Sequence, residues 1–185
     1  MADSSQHVPA SAQEQIDRAN ATGRTPVVFI HGLWLLPSSW DRWATVFEDA
    51  GYAPLTPGWP ERPRHSRYAF ANAVDEDEAQ QLYKEFAVPA SGTPLFQAAT
   101  ANLNPWTEAK ADFKNPDRGP MLIISGEKDN TAPPAITNAI YKKQSKNPGV
   151  TETVTMPNRG HGLVIDHGWR EVCDVSLNFI KRWVQ

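Results

Sequence analysis

The chain has 185 residues, 40% of them hydrophobic and 21% charged, with a formal net charge of −3. This length and composition are typical of one globular domain with a core, and the weak acidic balance excludes a basic surface field for nucleic acid. Cys173 is the single cysteine, so the chain has no internal disulfide. No apolar window is long enough for a membrane span and no basic-then-apolar signal precedes the fold, so we expect a cytoplasmic protein.

The first elements follow a polar stretch at residues 1–24, which predicts a tail with no more than one helical turn. Residues 27–30 (VVFI) form a short apolar, β-branched block that predicts a buried strand. Tryptophans and apolar residues then recur at helical spacing over 40–50, and Gly51 ends that helix. Residues 52–56 predict a second strand, parallel to the first, and thus a β-α-β unit.

The middle of the chain, about 61–119, shows helix and loop patterns without a strand pattern. Its clearest element is a helix over 75–86, which is acidic in its first turn and apolar on one face. We expect this segment to form a cap or lid over a site. A helical layer that only covers the sheet is the alternative.

The last third returns to alternating strands and helices. Residues 121–125 (MLIIS) predict a buried strand and 150–156 (VTETVTM) predict another nearer the sheet edge. Helices are expected between them, over 135–143, and after them, over 168–184.

Three strand ends carry side chains capable of chemistry: His31-Gly32-Leu33, Asp129 and His161. Ligands in open α/β sheets bind beyond the carboxyl ends of strands, so this placement suits a site. HGLWLLPSSW resembles the oxyanion loop of the α/β-hydrolase family, IISGEKDNTAPP resembles the turn bearing its acid, and MPNRGHGL resembles the loop bearing its histidine. Together these similarities cover most of residues 25–185.

The resemblance implies a role for each matching residue. His161 is the general base, Asp129 is the carboxylate that orients it, and the backbone N–H of Leu33 is an oxyanion donor. Gly32 lets the chain turn sharply there. We expect His31 to order this loop by hydrogen bonding. Trp34 is a candidate for the wall of an apolar pocket, although core packing explains such aromatic residues equally well.

The nucleophile is where the sequence departs from the family. An α/β hydrolase carries it in a G-x-S-x-G elbow before the acid and the histidine, and this chain has no G-x-S-x-G. Ser66, in Arg-His-Ser-Arg, has the expected chain order, but arginines replace the elbow glycines, and a helix cap explains it equally well. Ser38 and Ser39 are explained as helix caps, Ser125 as a packed strand residue.

Loss of the elbow segment also changes the expected fold. We expect a reduced, mainly parallel α/β-hydrolase-like sheet of about four strands, flanked by helices, within one domain at 25–185. We expect the sheet to close over the missing strand, in the order of the strands at 52–56, 27–30, 121–125 and 150–156, because an unpaired buried edge is costly. A homodimer through the exposed sheet edge is the other outcome.

Two functions from different classes follow. The first is hydrolysis of small carboxylic esters, with Ser66 or an activated water as nucleophile and His161-Asp129 as the base pair. The second is a non-catalytic relative that binds a small apolar ligand or a protein partner; a truncated product without a selected role is a third outcome. In each case we expect no cofactor, no metal ion and no nucleic acid.

Overall fold

The computed structural model of the chain describes residues 10–32, 35–58, 72–86 and 112–184. The chain divides into two compact units, Met1–Glu61 and Arg62–Gln185. Each unit pairs parallel strands with helices, which confirms the predicted mainly parallel α/β class.

The first unit is built on a β-α-β arrangement. Its elements are α1 (Ala10–Thr22), β1 (Pro26–Val28), α2 (Asp41–Asp49) and β2 (Ala53–Leu55). The two strands run parallel over three paired positions, from Pro26 opposite Ala53 to Val28 opposite Leu55. The strand pair is therefore as predicted, although β1 ends two residues earlier than the apolar block at 27–30.

Helix α1 differs from the polar tail expected at residues 1–24. It runs for 13 residues, and its Ala19 is buried with Ala53 and Leu55 of β2. The side-chain oxygen of Gln15 also accepts a hydrogen bond from the backbone N–H of Thr56, at 2.8 Å. An isolated helix of this length is marginal in water, so contact with β2 accounts for the difference from the sequence prediction.

Aromatic side chains fill the space between β1 and α2. The Phe29 ring lies 5.3 Å from that of Trp40 and 5.1 Å from that of Phe47, the latter edge-on. A short 3₁₀ helix, Pro37–Trp40, precedes α2. The expected serine cap is wrong: Ser39 donates its hydroxyl to the carbonyl of Leu36 at 2.8 Å, and α2 has no side-chain cap.

The second unit contains the remaining described elements. These are α3 (Glu76–Phe86), β3 (Met121–Gly126), α4 (Pro134–Gln144), β4 (Thr151–Met156) and α5 (Trp169–Trp183). Strands β3 and β4 are parallel and paired over six positions, from Met121 opposite Thr151 to Gly126 opposite Met156. Both strands therefore end at the same edge, which puts the loops after them side by side.

Helix α5 supplies much of the core of this unit. Val172, Cys173, Leu177 and Phe179 are its buried residues, as its amphipathic pattern predicts. Met156 at the end of β4 is 2% exposed. The loop bearing the candidate base thus begins and ends on buried elements.

The described strands form two two-stranded sheets, β1-β2 and β3-β4. The prediction of a closed four-stranded sheet, in which the strand at 27–30 pairs with the strand at 121–125, is therefore wrong for the described strands. β1 has only three residues, and the strand it pairs with is β2. The Phe29 N–H adds a hydrogen bond to the Leu55 carbonyl at 2.8 Å. A strand of three residues has few backbone N–H and C=O groups, so pairing with a second strand would add few hydrogen bonds.

Helix α3 lies in the described part of the segment expected to form a cap. Asp75 caps it by accepting a hydrogen bond from the Glu78 N–H at 2.8 Å. Phe86 is buried, whereas Tyr83 on the predicted apolar face is 41% exposed. Residues 59–71 and 87–111 lie outside the described ranges, so the cap stays a prediction.

Candidate active site

The acid-bearing turn begins where β3 ends. Gly126 is followed by a tight turn in which the Asp129 N–H bonds to the Gly126 carbonyl at 3.2 Å. The Asp129 Oδ1 atom accepts hydrogen bonds from the backbone N–H groups of Thr131 and Ala132, both at 2.8 Å. The side chain of Asp129 is thus held by its own turn, as is typical of aspartate in such a position.

The base-bearing loop, residues 157–168, connects β4 to α5. Asn158 has φ = 59°, a left-handed conformation that asparagine tolerates better than most residues. Its N–H donates to the Glu127 carboxylate at 2.8 Å. This reversal at the start of the loop brings the chain back over the end of β3.

The two loops bring Asp129 and His161 together. The Nδ1 atom of His161 lies 2.9 Å from Oδ2 of Asp129. The Asp129 side chain is 6% exposed and that of His161 is 27% exposed. The carboxylate is therefore buried behind a partly exposed imidazole.

Electrostatics around Asp129 favour its charged form. Burial on its own raises the pKa of this carboxyl group, but hydrogen bonds from Ala132, His161 and Thr131 and the charge of His161 outweigh burial and lower the pKa. An ionised carboxylate only accepts hydrogen bonds, so the proton between the two side chains belongs to Nδ1 of His161. That tautomer puts the basic lone pair on Nε2, as a general base requires.

Close packing between the loops depends on glycine. A Cβ atom at Gly126 would lie 2.4 Å from the Arg159 carbonyl oxygen and 2.5 Å from that of Gly160. The Arg159 carbonyl also accepts a hydrogen bond from the Lys128 N–H at 2.8 Å. The acid turn and the base loop are thus in direct backbone contact next to the Asp129–His161 pair.

The segment around α3 also contacts these loops. Asn72 donates its side-chain amide to the Lys128 carbonyl at 2.5 Å. The Glu78 carboxylate accepts the backbone N–H of His167 at 2.6 Å and lies 2.8 Å from its Nδ1 atom. The side chain of His167 is 64% exposed.

The other predicted site residues belong to the first unit or lie outside the described residues. His31 is buried, and its Nδ1 atom lies 3.0 Å from the carbonyl oxygen of Gly32. Leu33, Trp34 and Ser66 fall in the undescribed ranges. The oxyanion donor and the serine nucleophile therefore stay predictions.

Residues that the sequence did not single out turn out to shape the base loop. Arg159 and Asp166, 6% and 2% exposed, form a buried ion pair within it. They are seven positions apart, but the segment between them is irregular, so no helical or strand repeat brings them together. The only available signal was that they are the one arginine and the one acidic residue of the loop at 157–168.

Other features of the described residues bear on ligand chemistry. A polar cleft of about 440 Å³ in the first unit includes Arg18, Arg24 and Glu48 in its lining. Within ranges 10–32, 35–58, 72–86 and 112–184 no group of three or more metal-ligating side chains comes together. In that same part of the chain, no helix is long and apolar enough to cross a membrane.

Comparison with solved structures supports the fold. No protein-family model matches the chain, and no curated protein matches it either. Among solved structures, it is similar to esterase 2 of Thermogutta terrifontis phosphoramylated by tabun, with a TM-score of 0.55 and 16% identity over 86% of this chain and 83% of that one.

The same thermophilic esterase in two further states gives comparable values. Its butyrate-bound structure matches with a TM-score of 0.52 and 15% identity, and its propionate-bound structure with 0.51 and 16%. Each comparison covers 86% of this chain and 83% of the other. At such low identity the likeness concerns the fold alone.

Proposed function

We propose that this chain, which has a reduced α/β-hydrolase-like fold, hydrolyses small carboxylic esters. The observation that carries the proposal is the 2.9 Å contact between Nδ1 of His161 and Oδ2 of Asp129 at adjacent strand exits. The partial exposure of the imidazole and the lowered pKa of its carboxylate partner support the same role. A base oriented in this way is what acyl transfer to a weak nucleophile requires.

In the proposed reaction, Nε2 of His161 removes the proton of the nucleophile as the new C–O bond forms. Asp129 remains ionised and stabilises the resulting imidazolium ion. The family resemblance assigns stabilisation of the oxyanion of the tetrahedral intermediate to the backbone N–H of Leu33. The imidazolium then gives its proton to the departing alcohol as the ester C–O bond breaks.

Two nucleophiles fit this sequence of steps. If Ser66 attacks, its hydroxyl oxygen becomes acylated, and a water activated by His161 then releases the carboxylic acid. If water attacks directly, acid and alcohol form in one addition–elimination sequence. The two routes differ in whether the protein is covalently modified during turnover.

Short acyl chains are the proposed substrate class. The Thermogutta terrifontis esterase with the same fold has been observed bound to propionate and to butyrate. We therefore expect p-nitrophenyl acetate and butyrate to be suitable test substrates for this chain.

The first experiment compares hydrolysis by the wild type, His161→Ala and His167→Ala. Removing the base should lower kcat/KM by about a thousandfold or more. His167 lies in the same loop, but its imidazole is 64% exposed and pairs with Glu78, so His167→Ala should leave the rate within about threefold. Equal rates for wild type and His161→Ala would contradict the proposal.

A serine-reactive phosphonate followed by intact-mass measurement separates the two nucleophiles. An adduct on the wild type that is absent from Ser66→Ala identifies the serine route. Turnover without an adduct supports the water route. If the wild type shows no adduct and no turnover, the proposal of catalysis is rejected, and the non-catalytic binding relative is favoured.

A further inference from the structure

The loop that carries His161 is closed by a buried ion pair. Nε of Arg159 donates to Oδ2 of Asp166 at 3.0 Å, and Nη2 of Arg159 donates to Oδ1 of the same carboxylate. The guanidinium also donates to the Gly168 carbonyl at 3.0 Å and to the Leu163 carbonyl at 3.4 Å. Arg159 thus connects the beginning of the loop to three points further along it.

Asp166 completes this arrangement from the other end. Its Oδ1 atom also accepts the Gly168 N–H at 3.0 Å, and its own N–H donates to the Gly162 carbonyl at 2.9 Å. His161 lies between Arg159 and Asp166 in the chain. Its backbone is therefore part of a ring closed by side-chain and main-chain hydrogen bonds.

Arg159 is also joined to the acid turn. Its carbonyl oxygen accepts the Lys128 N–H at 2.8 Å, one residue before Asp129. The same carbonyl rests against Gly126, where a Cβ atom would lie at 2.4 Å from it. One residue thus connects the turn of the acid to the ring that contains the base.

A buried ion pair contributes little to the stability of a fold by itself. Desolvation of two charges is costly, and well-packed apolar residues in the same place are often at least as stable. A guanidinium fork does, however, define a geometry that apolar side chains do not, because its five N–H groups have fixed directions. The arrangement therefore suits a role in holding a shape.

We infer that Arg159 and Asp166 are positioning residues that keep the His161 imidazole in line with Asp129. The expected fall in kcat rests on the proposed function, whereas the expected effect on the His161–Asp129 hydrogen bond rests on the geometry alone. Arg159 is buried and its guanidinium bonds to the loop itself, so the proposed effect on His161 passes through the loop backbone. A misplacement of about 1 Å at a catalytic group costs about a hundredfold in rate, which sets the scale of the effect.

The test replaces the fork while keeping the charge. Arg159→Lys retains a cation opposite Asp166 but supplies a single ammonium in place of the planar fork. Arg170→Lys is the matched control, since Arg170 forms an exposed pair with Asp174 at 3.0 Å on α5. The double variant Arg159→Met/Asp166→Leu removes both charges, so it avoids an unpaired buried ion.

Two measurements are made on each variant. The first is the downfield Nδ1 proton resonance of ¹⁵N-labelled His161, which reports its hydrogen bond to Asp129 whether or not the protein turns over ester. The second is the division of the kinetic effect between kcat and KM. Thermal unfolding shows which variants are folded.

We expect Arg159→Lys and the folded double variant to lose the His161 resonance. Their kcat should fall by about a hundredfold, with KM changed less than about threefold. Arg170→Lys should match the wild type in both readouts. A double variant that is as stable as the wild type and yet has lost the resonance would be the clearest support.

The inference is overturned if the folded variants keep the resonance and the wild-type kcat while only their unfolding temperature changes. In that case the pair is merely structural. Failure of the proposed function is a separate result: a wild type that hydrolyses no ester leaves the resonance as the deciding readout for positioning.

Discussion

Substitution of Gly126 by alanine should separate the acid turn from the base loop. The added Cβ atom would lie 2.4 Å from the Arg159 carbonyl oxygen, whereas ordinary contacts begin at 3.4 Å. Both nearest atoms belong to the backbone, so no side-chain rotation relieves the overlap. The loop must therefore move by about 1 Å relative to the end of β3.

That displacement exceeds what the local hydrogen bonds tolerate. The Asp129–His161 contact of 2.9 Å and the Lys128–Arg159 bond of 2.8 Å would lengthen to nearly 4 Å, too long for a hydrogen bond. Loss of these two bonds and residual overpacking together should lower the free energy of unfolding by about 2–4 kcal/mol. Under the proposed function, kcat should fall by about a hundredfold.

Urea unfolding measures the first effect and p-nitrophenyl butyrate hydrolysis the second. Gly119→Ala is the matched control, because Gly119 is exposed and has no atom within 4 Å of an added Cβ. Its stability should stay within about 0.5 kcal/mol of the wild type. If Gly126→Ala behaves like Gly119→Ala in both assays, the reasoning about loop contact is refuted.

Three further predictions concern the second unit. The pKa of Asp129 is lowered in the fold, so its ionised form stabilises the protein at pH values above the unfolded pKa, and this contribution disappears as pH falls through the folded pKa. In urea unfolding, Asp129→Asn should therefore lower the stability at neutral pH and lower it progressively less in acid. Asn158 has φ = 59°, so Asn158→Val should lower the unfolding free energy by about 1–2 kcal/mol in the same assay, while Asn158→Gly should not. Burial raises the pKa of the Cys173 thiol to about 11, so labelling by iodoacetamide near neutral pH should be slow in the folded protein and fast in urea.

Each of these has a contrary result. A constant stability loss in Asp129→Asn across the whole pH range would show that the carboxylate charge is not the cause. Equal stabilities for the valine and glycine variants at position 158 would show that the backbone there relaxes. Rapid labelling of Cys173 in the folded protein would contradict the burial of its side chain on α5.

The elements with strong local patterns were determined by the sequence. Residues 121–125 and 150–156 are apolar or alternating β-branched runs, and both are strands in the structure, within one residue of the predicted ends. The amphipathic repeats of α3 and α5 fixed those helices in the same way. His161 and Asp129 were candidates because both follow parallel strands, whose carboxyl ends meet at one sheet edge, and their expected roles came from the family resemblance.

Other features were decided by contacts between distant residues. α1 has too little intrinsic pattern to be predicted, and it owes its 13 residues to packing of Ala19 on β2. The division into two two-stranded sheets depends on which strands pair with each other. The backbone groups at a strand edge do not depend on the residue types, so the sequence does not specify the neighbouring strand.

The base loop shows the difference most clearly. The sequence by itself identified a histidine after one strand and an aspartate after another. Only the tertiary structure placed Nδ1 of His161 2.9 Å from Asp129 and enclosed the loop around the buried Arg159–Asp166 pair. The physical reason is that those contacts join residues through irregular backbone, where directions are set by packing and hydrogen bonding and no sequence period records them.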